Sequence, residues 1–275
     1  MKSENLQVSG PKTDTSAATD AGAIRNQRVF LVDAVRGLAI AGVVLFHIVW
    51  DVEFTGLVSG IASHPVWLAF GRLLAGTFMF LVGVSLVLAH GRGLRAKVFA
   101  RRLGVIALAA VIISIVTWFV FPQSFIFFGI LHAITVASLI GILVLGLPTS
   151  LALVVAIGFL ILPFFVTSDF FNPRALAWIG LFTNPPPSND FVPVFPWTGL
   201  TLLGIVAARV VFGNTGANRP FRDLGDGPFM KALVWMGRHS LVIYLVHQPL
   251  LLAIIVPVAK IAKGSVRTGV TKNDP

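Results

Sequence analysis

The chain has 275 residues, 56% of them hydrophobic and only 12% charged, where a soluble domain carries about a quarter charged residues. With a mean hydropathy of +0.89, this composition excludes a soluble globular enzyme and points to an integral membrane protein. The net charge of +10 sits in short breaks between apolar runs, as in cytoplasmic loops facing anionic lipid, and does not read as a nucleic-acid footprint.

Residues 1–27 are polar and rich in Ser, Thr, Ala and Gly, which predicts a disordered cytoplasmic tail. A helix needs about 20 apolar residues to cross the hydrocarbon layer. Runs of that kind cover residues 30–50, 66–89, 103–121, 126–146, 150–167, 195–213 and 234–257. They predict an all-α polytopic bundle of about seven transmembrane helices in one domain, residues 28–258, followed by a polar basic tail, 259–275. The first run contains Asp33 and Arg36, so it reads as a retained span and not a signal peptide. The stretch 170–183, with Phe170, Phe171, Trp178 and Phe182, is too short to span and suits the interface. Asn184–Asp190 holds three prolines and reads as a loop, and Pro193 and Pro196 then open the sixth run.

Orientation follows the Lys/Arg bias. The break between the second and third runs holds Arg92, Arg95, Lys97, Arg101 and Arg102 and no acid. That between the sixth and seventh holds Arg219, Arg222 and Lys231, whereas the break after the first opens with Asp51 and Glu53. The amino terminus is therefore expected in the cytoplasm. Seven spans place the carboxyl tail outside, against the rule, because it carries Lys260, Lys263, Arg267 and Lys272. An eighth element or a last span that bends back is the alternative.

Ionisable groups inside a span are costly and mark functional sites. In the first run Asp33, Arg36, His47 and Asp51 share one face: at 100° per residue, Arg36 and His47 differ by about 20° in azimuth and lie about 16 Å apart. Such a face must meet the bundle interior or a wet cleft, and Gly37 and Gly42 let a neighbour or ligand approach. His132, Asp190, Trp197, His247 and Gln248 are candidates to join it, with Arg72 early in the second run. The plainer readings are an Asp33–Arg36 ion pair that anchors the helix, histidines that serve only as hydrogen-bonding residues between helices, an Arg72 that snorkels, and a basic loop explained by topology alone. No cysteine occurs, which excludes a thiol nucleophile and cysteine metal sites. The sequence also lacks a Walker-type phosphate loop and an H-E-x-x-H, and no metal is expected.

Several blocks in order carry a family resemblance. They are Arg28…Asp33-Ala34-Val35-Arg36-Gly37…Phe46-His47…Asp51, Phe78 to Leu86, Phe127 to His132, Asp190 to Trp197, and Gly237-Arg238-His239-Ser240 through His247-Gln248-Pro249. Over residues 28–256 the chain resembles the heparan-alpha-glucosaminide N-acetyltransferase catalytic-domain family, in its bacterial branch, and the Arg36…His47 spacing is similar to that of the wider acyltransferase-three superfamily. The resemblance implies a multi-pass protein of the inner (plasma) membrane. Such a protein would move an acetyl group from cytoplasmic acetyl-CoA to a sugar or other small envelope acceptor, with a homodimer left open. The resemblance also implies a histidine as general base or transient acyl carrier and an arginine in contact with the acyl-CoA; taken with the buried polar residues, this puts catalysis on His47, Asp51 and Arg36, contact with the acyl-CoA on Arg36, Asp33 and Arg238, and the acceptor on His132, Asp190, Trp197 and His247. The family's active histidine lies in a loop after the first span, where this chain has His64, so the active ring is left open among His47, His64, His132 and His247. No lumenal domain is present to bind a polysaccharide, which argues against heparan sulfate. A proton-coupled transporter using His47, His132 and His247, or a non-catalytic membrane protein, is the alternative reading.

Overall fold

The computed structural model describes residues 15–91, 93–213 and 227–270, with side chains described for 29–91, 93–212 and 227–263. The expectations placed on Arg92, Arg219, Arg222 and Lys272, and on the side chains of Arg28 and Arg267, fall outside these residues. The described chain is helical: α1 (Thr15–Phe54), α2 (Pro65–His90), α3 (Ala96–Val120), α4 (Ile130–Val144), α5 (Thr149–Phe165), α6 (Arg174–Ala177), α7 (Val194–Gly213), α8 (Pro228–Arg238) and α9 (Ser240–Val270). A 3-10 turn, Asp169–Phe171, precedes α6, so the aromatic stretch after α5 does not span, as expected.

Five helices are long and apolar enough to cross a membrane, at Val29–Phe54, Pro65–His90, Ala96–Val120, Val194–Phe212 and Ser240–Lys263, and Ile130–Val144 and Thr149–Phe165 are shorter apolar helices. Apolar helices thus occupy all seven expected positions in order, five of them long enough to cross, and three details differ. α1 begins at Thr15, within the stretch expected to be a disordered tail, where alanines among residues 17–23 favour helix. The fourth span starts at Ile130 and not at 126. The seventh is divided: residues 234–238 belong to α8, and α9 begins at Ser240 and runs into the expected basic tail.

The end of the bundle that carries Arg36, Arg95, Arg101, Arg102 and Arg238 is called the basic end, and the opposite end the far end. α8 lies across α1 at the basic end. A Cβ on Gly37 would sit 1.9 Å from the Leu233 carbonyl oxygen, and one on Gly237 1.8 Å from that of Asp33, so only paired glycines allow this crossing. α8 buries Val234 and Gly237 and leaves Phe229 and Trp235 exposed, the pattern of a helix lying in the interface.

At the far end the backbone dips into the bundle. Ser114, six residues before the end of α3, donates to the Ile126 carbonyl at 2.6 Å, and the Ile126 N–H donates to Thr117 at 3.0 Å. Phe128 and Phe191 form a parallel bridge, with Val192 N–H donating to the Phe128 carbonyl. Thr201 in α7 donates to the Met79 carbonyl at 2.8 Å, 14 residues into α2 and so about 21 Å below its far end. Two non-helical segments, around 126–129 and 190–193, therefore stand at membrane depth. Non-helical backbone is tolerated there only when enclosed by protein or lining a cavity. Phe128, Val192 and Val194 are buried accordingly, in a core with Met79, Ala133 and Ala137.

Candidate active site

Two polar clusters occupy the bundle. At the basic end Asp33 is buried and binds two arginines, Arg36 on its own helix at 3.1 Å and Arg238 on α8 at 3.2 Å. Arg36 also donates to Ser85 of α2 at 2.8 Å. Arg102 of α3 is near enough for its charge to act on both Arg36 and Asp33. It lines a small cavity with His90 and Ser138. Two guanidinium groups thus bind one carboxylate with a third within electrostatic range, and Arg238 keeps much of its side chain exposed.

The second cluster joins α1 to α9. The rings of His47 and His247 lie 4.7 Å apart, nearly perpendicular. His47 Nδ1 is 2.9 Å from the Val43 carbonyl oxygen, and His247 Nδ1 is 2.7 Å from that of Tyr244. A carbonyl only accepts, so each Nδ1 carries a hydrogen and, in the neutral ring, each Nε2 presents a lone pair. His247 Nε2 is buried without a partner. Asp51, one turn beyond His47, is fully buried; its Oδ1 accepts from Gln248 Nε2 at 2.7 Å. Asp51 Oδ2 and Gln248 Oε1 have no partner. Buried polar atoms are normally satisfied. His247 Nε2, Asp51 Oδ2 and Gln248 Oε1 thus leave this cluster with three unpaired acceptors, which a hydrogen-donating group such as a hydroxyl or an amine would satisfy.

Tyr244 extends this cluster downward. Its hydroxyl donates to Asp190 Oδ2 at 3.0 Å, and the same oxygen accepts the Ile130 N–H at 2.8 Å. Asp190 therefore caps α4 where the helix dipole favours a negative charge, instead of standing free at an external mouth.

The expectation of one cleft shared by Arg36 and His47 is corrected: the two residues stand in separate clusters. Ile40, on the same face between them, is 0% exposed. His132 belongs to neither. Its Nδ1 accepts the Gly129 N–H and its Nε2 lies 3.2 Å from Ser114 Oγ, so both nitrogens are engaged in holding the non-helical segment. His64 caps α2 in an exposed loop, its Nδ1 accepting from Val66 N–H. Trp197 lies against Gly76 of α2 on the wall of an apolar groove that shares no residue with the histidine pair. Sequence reasoning passed over Tyr244 and Ser85 as site residues, and took Arg102 only as part of a basic loop, 92–102, able to attract an anionic cofactor. Of the two passed over, only Tyr244 carried a signal, as the sole tyrosine of the chain inside an apolar run.

Among the described residues no group of three or more His, Asp or Glu is placed to hold a metal. The family model "Heparan-alpha-glucosaminide N-acetyltransferase, catalytic" matches residues 28–249. Neither curated proteins nor solved structures gave a match. The matched span takes in both polar clusters and well over half of the chain, and the protein accordingly belongs to the heparan-alpha-glucosaminide N-acetyltransferase catalytic-domain family, as a multi-pass membrane acetyltransferase.

Proposed function

We propose that the protein transfers an acetyl group from cytoplasmic acetyl-CoA, across the plasma membrane, to a sugar or other small acceptor of the cell envelope. The observation that carries this reading is the His47–His247 pair, both rings anchored through Nδ1, with His247 Nε2 buried and unpartnered on the same helix as Gln248, whose amide binds the buried Asp51. An acceptor hydroxyl or amine would donate to this cluster. One Nε2 takes the proton as the acceptor's oxygen or nitrogen bonds to the acetyl carbonyl carbon, the carbon–sulfur bond breaks, and the proton passes to the departing thiolate. Asp51, buried one turn away, stabilises the transient imidazolium, and Gln248 holds Asp51 in place.

Acetyl-CoA supplies the activated thioester. Its fit is to the basic cluster, where Arg36, Arg102 and Arg238 outnumber Asp33 and favour phosphate oxygens. From Arg36 to His47 is about 16 Å, a gap suited to an extended pantetheine arm. The transporter alternative loses a proton carrier, because His132 has both nitrogens occupied.

The test uses purified full-length protein in liposomes with acetyl-labelled CoA and a panel of amino and hydroxyl acceptors. His47→Ala and His247→Ala are expected to lower transfer by about 10²- to 10⁴-fold, the contribution of a positioned acid–base group, while the variants stay monodisperse. Wild-type protein that neither turns over thioester nor labels an acceptor above these variants would defeat the assignment.

A further inference from the structure

A groove of about 800 Å³ runs between α1, α2 and α7. Along α2 it extends from Ala69 to Val84, about 22 Å at 1.5 Å per residue. That exceeds the roughly 15 Å occupied by the tails of one leaflet, half of the hydrocarbon layer. Small residues, Ala69 and Gly76 on α2 and Ala207 and Ala208 on α7, make the wall concave, and nearly all of its lining is apolar. None of the residues of the histidine cluster lines it, so the groove is independent of the acetyl-transfer reading.

One charge breaks this wall. Arg72 lines the groove toward its far end, seven residues and so about 10 Å below the start of α2. Its side chain is exposed, and no acid, carbonyl or ring among the described residues pairs with it. A lone arginine at that depth is costly unless an anion or a headgroup reaches it. Snorkelling would satisfy the charge but leaves the groove beneath without an occupant. A long apolar channel with a single cation near one end is complementary to an amphiphile with one anionic head.

We propose that this groove holds an acyl tail of an anionic phospholipid whose phosphate pairs with Arg72. The guanidinium fork engages two phosphate oxygens, and the tail covers the apolar surface along Thr77, Phe80 and Leu200. A zwitterionic headgroup brings its own cation to the phosphate and binds more weakly.

The experiment is native mass spectrometry of the full chain in detergent, titrated with phosphatidylglycerol or with phosphatidylcholine of the same tails. One phosphatidylglycerol is expected to bind about tenfold more tightly than phosphatidylcholine, a difference of about 1.4 kcal/mol. Arg72→Gln should erase that preference and Arg72→Lys should retain most of it. Thr77→Phe, which fills the groove at a partly exposed position, should weaken both lipids while the protein remains folded by its thermal transition. Equal affinity for the two lipids in the wild type, or an Arg72→Gln variant with an unchanged preference, overturns the proposal. So does a Leu73→Cys variant that forms disulfide-linked dimers in membranes, since a second copy of the chain would then cover the groove; the natural chain has no cysteine to confuse that readout.

Discussion

At the scale of single residues, the backbone and not a carboxylate fixes the ring tautomers. In a catalytic triad the aspartate selects the histidine tautomer, and replacing it with asparagine costs about 10⁴-fold because the wrong nitrogen carries the proton. Here the carbonyls of Val43 and Tyr244 do that work, and Asp51 contributes charge alone. Asp51→Asn is therefore expected to slow acetyl transfer by well under that 10⁴-fold, with thermal stability nearly unchanged. Asp51→Ala strands the buried Gln248 amide and should destabilise the protein by about 1–3 kcal/mol, read as a lower melting temperature in detergent. A loss as deep for Asn as for His47→Ala would show that Asp51 sets the tautomer after all. Asp33, Arg36, His47, Asp51 and His247 were legible in the sequence because an ionisable group in an apolar run is conspicuous. Their partners were not. That Arg36 meets Ser85 while His47 meets His247 depends on how α1 registers against α2 and α9, which no periodicity within α1 encodes.

At the scale of elements, α4 is the instructive case. An apolar run over 126–146 predicts a helix through its whole length, yet residues 126–129 are not helical. Hydrophobicity alone does not distinguish a short buried strand from a helix, and the deciding partners, Phe191 and Asp190, lie about sixty residues later. What remains is a 15-residue helix held by charge at both termini. Asp190 accepts from its first N–H, while Arg209 of α7 donates to the carbonyls of Val144, Leu145 and Leu147 at its other end. Both match the helix dipole and satisfy backbone groups that the helix ends leave without an intrahelical partner. Asp190→Ala and Arg209→Ala should each cost about 1–2 kcal/mol, visible as lowered thermal transitions. Asp190→Asn, which keeps an acceptor, should cost less. If Asp190→Ala left the transition unmoved but abolished acetyl transfer, the residue would belong to the acceptor site instead. The division between α8 and α9 was hidden for a related reason. The apolar run continues across His239, and only the glycine pair that seats α8 on α1 requires the chain to turn there.

At the scale of the whole molecule, the unresolved tension in the sequence was the basic carboxyl end, which the positive-inside rule would place in the cytoplasm with the amino terminus. Lys263 near the end of α9 donates to the Thr55 carbonyl, just past the end of α1, at 2.6 Å. The two helices thus finish at the same end of the bundle, and an odd number of crossings separates them from the start of α1. The basic residues of the α2–α3 connection lie at the opposite end. A few lysines on the far side are tolerable because each contributes only about 1 kcal/mol at an anionic surface, whereas the first helix and the internal loops usually dominate orientation. Because the chain has no cysteine, single substitutions report side directly. In intact cells a membrane-impermeant maleimide should label Ser59→Cys and Lys260→Cys, and should label Arg95→Cys and Lys231→Cys only after permeabilisation. Labelling of Ser59→Cys and Lys260→Cys from opposite sides would break the seven-span bundle itself. Labelling of Arg95→Cys alone in intact cells would invert it, and would put the arginine cluster on the wrong side of the membrane for a cytoplasmic acyl donor.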